Sequence, residues 1–193
     1  MLAAADFPPG FADPVLDSQA VFRAVLHAVA HPGTVCEIPV VPEAPAPLAP
    51  AAAAICLTLL DHETPVWLQT RQLDRWLGFY CGAPIAESPM QARFGLIHDP
   101  TTIPPLDRFD AGSDEYPDRS ATLIVQVDGF TDAGFSLSGP GIRDTQAFGV
   151  RGLRAGFFDE WRALAPLFPR GIDLIFTAGT RVAALPRTTI LGG

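Results

Sequence analysis

Phe135-Ser136-Leu137-Ser138 alternates apolar and polar residues as a half-buried β-strand does, and Gly139-Pro140-Gly141-Ile142 stops it at once. Pro140 has no N–H to give a ladder, so the strand cannot continue through it. Two later corners, Phe168-Pro169-Arg170-Gly171 and Leu185-Pro186-Arg187-Thr188-Thr189, again set Pro and Arg where strands begin or end. A chain punctuated this way cannot carry a long element through its final portion. It must turn back on itself in short strands.

Helical periodicity belongs to the first half. Asp17 or Ser18 is the expected cap of a helix running to about His31, stopped by Pro32-Gly33, with Val21, Phe22, Val25, Leu26 and Val29 on one face. Thr34 to Ile38 predicts a short strand, and the five prolines between 39 and 50 predict a stiff surface connection. Ala51 to Leu60 reads as a buried helix, Pro65 to Thr70 as a strand, Leu73 to Cys81 as a second amphipathic helix and Arg93 to His98 as a strand. Residues 99–119 read as loop. Ala121 to Val127 is the strongest strand, turned by Gly129 to Gly134 into Phe135 to Leu137 as a hairpin. An irregular, Arg-rich stretch follows, then a helix from Phe157 to Leu164. Ile172 to Thr177 and Arg181 to Leu185 close the chain as a hairpin across Ala178-Gly179-Thr180. Helices alternating with strands, then hairpins, predict one α/β domain over 1–193, a mixed sheet flanked by helices.

All 13 basic residues are Arg, and this absence of Lys removes whole classes of chemistry. No side chain can form a Schiff base with pyridoxal phosphate, and the glycine corner cannot be a P-loop. The net charge of −8 argues against nucleic acid as a partner. That charge is uneven. Residues 1–142 hold 6 Arg and 17 Asp/Glu, a net of −11, whereas residues 143–193 hold 7 Arg and 4 Asp/Glu, a net of +3. A positive region on an acidic chain suits an anionic ligand, an acidic partner or ion pairs within the fold. No apolar run approaches the ~18 residues needed to cross a bilayer. Met1 to Asp6 lacks the basic start of a signal peptide, and Cys36, Cys56 and Cys81 are odd in number and far apart. A cytoplasmic protein with reduced thiols is expected.

The side chains capable of chemistry are scattered. His27 and His31 share the spacing of a zinc pair, but they lie opposite the apolar face and no Glu follows His27. Asp61-His62-Glu63 reads as a polar turn; His98-Asp99, at a strand end, is placed where α/β sheets gather ligands. No nucleophile elbow is present, and nothing near Cys81 would lower its pKa. Neither a catalytic residue nor a metal site nor a cofactor is therefore assigned. The candidate anion- or partner-binding residues are Gly139, Gly141, Arg143, Arg170, Arg187 and Thr188. Antiparallel pairing of the last two strands brings the Arg170 and Arg187 corners to one sheet edge, where their forks can bind an anion or pair with Asp173.

Read together, several segments resemble one family. They are Phe22-Arg23 through Pro32-Gly33, Leu57-Thr58-Leu59-Leu60-Asp61, Thr64-Pro65-Val66-Trp67-Leu68, Ser120-Ala121-Thr122-Leu123 and Leu137 to Ile142. Phe168 to Leu174 and Leu185 to Thr189 complete the set, which spans nearly the whole chain in order. The chain resembles the PhnH family, one of the components of the bacterial carbon–phosphorus lyase system for phosphonate use. That resemblance implies a fold related to pyridoxal-phosphate-dependent transferases but without the cofactor, and a homodimer when isolated. It implies a core complex with subunits G, I and J. There, formation of ribose 1-phosphonate 5-triphosphate from ATP and phosphonate (with G, I and L) precedes C–P bond cleavage by J. Members of the PhnH family carry no catalytic motif in this picture. On that reading, Arg187→Ala is expected to impair assembly or phosphonate growth more than folding. The alternative is an autonomous enzyme that binds phosphate or phosphonate esters, or a nucleotide, through the Arg-bearing corners.

Overall fold

The computed structural model describes residues 7–192. Met1 to Asp6, on which the signal-peptide reading falls, lies outside the described residues. The elements run α1 (Pro14–Ala30), β1 (Cys36–Glu37), α2 (Pro50–Leu59), β2 (Val66–Leu68), α3 (Asp74–Tyr80), β3 (Phe94–Ile97) and β4 (Thr122–Gln126). They continue with β5 (Gly129–Ser138), β6 (Gln146–Arg151), α4 (Phe157–Ala163), β7 (Asp173–Ala178), β8 (Arg181–Leu185) and β9 (Ile190–Gly192).

The apolar run around β4 is a central strand because both its faces are covered. β3 and β7 flank it in parallel, and β2 extends the parallel side. On the other side β8 pairs antiparallel with β7 and β1 antiparallel with β8, giving the order β1-β8-β7-β4-β3-β2. Side-chain alternation splits the core accordingly. Ile124, Ile175, Val182 and Ala184 face α1, α2 and α3, while Leu123, Val125, Leu174, Phe176, Ala183 and Leu185 face the opposite side. That opposite face is covered by α4, the loop carrying Ile103, Leu106 and Phe109, and a second sheet of order β6-β5-β9. The α/β mixed sheet is as expected; its second face meets more sheet than helix. No helix among the described residues is long and apolar enough to cross a membrane.

Several local expectations are corrected. α1 is capped by Asp13, not Asp17 or Ser18. Asp13 Oδ1 accepts from the Val15 and Leu16 N–H groups at 3.1 Å, Pro14 occupies the first turn, and Asp17 Oδ2 accepts from Asp13 N. The Pro-rich connection is packed: Pro42 and Leu48 are buried. Gly129 to Gly134 is no turn but part of β5, which shifts register between Thr131 and Phe135 as a bulge does. β5 pairs not with β4 but with β6 and β9, two strands that the residue pattern does not announce.

The most consequential correction concerns α1. Val21, Val25 and Ala28 are buried, but Phe22, Leu26 and Val29 face outward. Each is one residue on from a buried one, about 100° around the helix. Val15 joins them seven residues before Phe22. α1 is thus apolar over a wider arc than the sheet can cover, and Val15, Phe22 and Leu26 remain 76%, 47% and 53% exposed.

Candidate functional site

The Leu185 to Thr189 corner leaves β8 beside the start of β7, as antiparallel pairing requires, and this fixes Arg187. Its backbone N–H and Nε donate to Asp173 Oδ1 at 2.8 and 3.1 Å, and Nη2 donates to Asp173 Oδ2. Nη1 donates to the Pro117 carbonyl at 2.7 Å. The guanidinium is therefore committed to its own chain, tying β7, β8 and the loop at Pro117 together. Arg170 lies on the same wall, and its Nε is 3.0 Å from Asp114 Oδ1. That contact is close in charge but is not aligned as a hydrogen bond, and Nε is buried without an acceptor. The two arginines expected to converge do so, with different degrees of commitment.

They border a cavity of about 540 Å³ between α4 and β9. Trp161, Leu164, Ile172 and Leu191 give it apolar walls, while Arg162, Arg170, Arg187 and Thr188 supply the polar ones. Trp161 is held by its indole N–H donating to the Ile172 carbonyl at 2.9 Å. Thr189 also lines the cavity; it is 6% exposed, and its Oγ1 has no partner. Sequence reasoning misses this hydroxyl, Trp161 and β9, because a three-residue strand gives no periodicity to read.

The Gly-Pro-Gly corner has a packing explanation. Gly141 has φ 82°, and a Cβ there would lie 2.1 Å from the Ala30 carbonyl at the end of α1. Gly139, at φ 123°, would meet the Thr188 carbonyl at 2.8 Å. Both glycines thus let the corner press on α1 and on the entry to β9. Pro140 reaches the cavity, whereas Arg143 is exposed outside its wall.

A second hollow, about 220 Å³, is bordered by Val25 and Val29 of α1, Phe94, Thr122, Asp173 and Pro186. The second hollow therefore sits where β3, β4 and β7 begin, and the first lies beside the entry to β7 at Gly171 and Ile172. The opposite edge, where α/β sheets usually hold ligands, is stitched shut. Gln126 Oε1 accepts from Ala49 N at the start of α2, and its amide donates to the Pro47 carbonyl at 3.0 Å. Gln69 Oε1 accepts from the backbone N–H groups of His98 and Asp99 at 3.0 and 2.8 Å. Asp99 is spent on a tight turn: hydrogen bonds from the Thr101 hydroxyl and N–H, then the Thr102 hydroxyl, hold its carboxyl below the ordinary range.

The remaining chemical candidates lie apart. His27 and His31 stack at 4.2 Å between ring centroids on the exposed side of α1. Asp61 Oδ1 accepts from Glu63 N at 2.9 Å within a surface turn. Burial, then the charge of Asp61, pushes the Cys81 thiol up to about 12; burial, then Cys81, raises buried Cys56 as well. Among the described residues no group of three or more His, Cys, Asp or Glu side chains is arranged for a metal. The autonomous-enzyme reading gains no support from this arrangement.

Comparison with known proteins addresses the chain as a whole. A model of the family described as bacterial phosphonate metabolism protein (PhnH) matches residues 9–191. A Rhizobium meliloti (strain 1021) protein, "Alpha-D-ribose 1-methylphosphonate 5-triphosphate synthase subunit PhnH", is 41% identical over 187 residues, covering 94% of this chain and 93% of that protein. A Stutzerimonas stutzeri protein, "Putative C-P lyase subunit protein HtxG", is 42% identical over 82 residues, 40% of each chain. With one family model spanning both sheets and both hollows, the chain belongs to the PhnH family of bacterial phosphonate metabolism proteins.

Proposed function

We propose that this chain is a non-catalytic subunit of the carbon–phosphorus lyase machinery. It supports formation of ribose 1-phosphonate 5-triphosphate with subunits G, I and L and C–P cleavage by subunit J, contacting G, I and J and pairing with itself when isolated. The Rhizobium meliloti relative, aligned over almost its full length, is named as a subunit of the synthase. The observation that carries the reading is the outward stripe of α1. Large apolar side chains left in water on one ordered helix are what a partner interface supplies. The stripe runs for ~21 Å from Val15 to Val29, and Val29 borders the hollow at Phe94 and Thr122. The parallel strands with an antiparallel β8, in a chain with no Lys, fit a cofactor-free relative of the pyridoxal-phosphate transferase fold.

The test is the double substitution Phe22→Asp with Leu26→Asp. Both side chains are exposed, so the variant is expected to melt within a few degrees of wild type. It is also expected to elute as a monomer in light-scattering chromatography and to lose co-purification with tagged G, I and J. Retention of both self-association and co-purification would refute the role given to α1.

A further inference from the structure

We propose that the cavity between α4 and β9 binds a compact amphipathic anion. Its ligand would have an aromatic or branched apolar body and one carboxylate, phosphate or phosphonate group. This goes beyond the subunit role and does not rest on it, since the cavity and the α1 stripe are separate surfaces. The volume of about 540 Å³ falls in the range of small-molecule sites. Trp161, Leu164, Ile172 and Leu191 offer an apolar bed, and Phe168 and Ile190, 63% and 62% exposed, stand at the cavity ready to be covered. The wall carries three guanidiniums, and the carboxylates that pair with them, Asp159, Asp114 and Asp173, lie outside its lining.

Two polar atoms on that wall make no hydrogen bond, although Arg170 is ion-paired with Asp114. Arg170 Nε is a buried charged donor with no aligned acceptor, and Thr189 Oγ1 is buried with none. Buried polar atoms are almost always hydrogen-bonded. Thr189 Oγ1, with no partner beside the cavity, therefore marks where a ligand atom can bond, while Arg170 Nε has only a misaligned contact with Asp114 Oδ1 at 3.0 Å. Arg187 is not that reader, because Asp173 and Pro117 already occupy its donors. Arg170 is, because its neighbour Asp114 is 83% exposed and can be displaced by a better-placed anion.

The experiment titrates the isotopically labelled full chain with 1-naphthyl phosphate, 1-naphthylacetate and neutral 1-naphthalenemethanol, following amide and indole NMR signals. Saturable shifts are expected at the Trp161 indole and at Thr188 to Leu191, with both anions binding roughly tenfold more tightly than the alcohol. A tighter phosphate assigns a phosphoryl or phosphonyl ligand; a tighter carboxylate assigns a carboxylic acid. Arg170→Ala should reduce the anions to the affinity of the alcohol and leave the alcohol unchanged. Ile190→Glu, on an exposed side chain, should repel only the anions and serves if Arg170→Ala misfolds. Equal affinity for charged and neutral probes, shifts confined to α1, or anion binding unaffected by both variants would overturn the proposal.

Discussion

Arg187 shows what one residue's surroundings decide and its sequence neighbours do not. Its closeness to Arg170 is legible, because an antiparallel β7–β8 pair must bring both corners together. Its full set of partners is not: Asp173 is one of two readings, and the Pro117 carbonyl that completes the grip comes from 70 residues away. Against the expectation that Arg187→Ala would harm assembly more than folding, these partners argue for a structural role. The substitution strands Asp173 and frees three segments, so a loss of about 1–3 kcal/mol in denaturant unfolding is expected, with folded protein still assembling. Arg187→Lys should recover only part, since an ammonium cannot supply a bidentate fork. A variant that is fully stable yet fails to assemble would return Arg187 to a role at the partner surface. The cysteines are simpler. A thiol raised to about 12 holds almost no thiolate at pH 8, so Cys81 should react with a disulfide reagent far more slowly in native than in denatured protein, and buried Cys56 likewise.

At the scale of elements, sequence reasoning succeeds where a period is long and fails where small residues interrupt it. α2, α3, α4 and the β7–β8 hairpin are all placed, because apolar spacing and a Pro or Gly stop bound them. β6 escapes because Gly149 and Ala147 break its alternation, and β5 is cut short because Gly129 and Gly134 read as a turn. The two stripes of α1 read as one face, because periodicity gives the width of an apolar arc but not how much of it a sheet covers. α4 carries a pH-dependent tie. Arg154 grips Glu160 with two 2.7 Å hydrogen bonds, and Glu160 Oε2 also accepts from Leu106 N at 3.1 Å. The Arg154 hydrogen bonds, outweighing burial, hold the Glu160 carboxyl below its ordinary 4.5. A carboxylate lowered in the folded state stabilises fully above its unfolded pKa and loses that contribution as pH falls through the folded one. The melting difference between wild type and Glu160→Gln should thus be constant above about pH 5 and shrink below about 4.5. A difference unchanged at pH 3 would show that the pair contributes nothing through charge.

Across the fold, the two ends of the parallel strands differ in what covers them. Where β2, β3 and β4 finish, side-chain amides take the hydrogen-bonding positions a ligand would use. Where β3, β4 and β7 begin, one hollow meets the Val29 end of the α1 stripe, and the Asp173–Arg187 pair divides it from the cavity beside α4. The residue pattern hints at this only obliquely, through a net-positive last segment, four of whose seven arginines are ion-paired within the fold. His98-Asp99 draws notice by lying at a strand end, but nothing local reveals that Gln69 reaches over to close it. The division makes a prediction that separates stability from assembly. Gln126 is 8% exposed, and replacing it with Leu keeps its bulk while leaving Ala49 N and the Pro47 carbonyl unpaired. A cost of about 1–3 kcal/mol is expected, since each part-buried group then loses the partner that replaced water. Because that edge faces no proposed partner, Gln126→Leu protein that remains folded should self-associate and co-purify normally. Phe22→Asp with Leu26→Asp should do the reverse, keeping stability and losing association. If Gln126→Leu abolished assembly at full stability, the closed edge would be the interface, and the open edge would have to be explained another way.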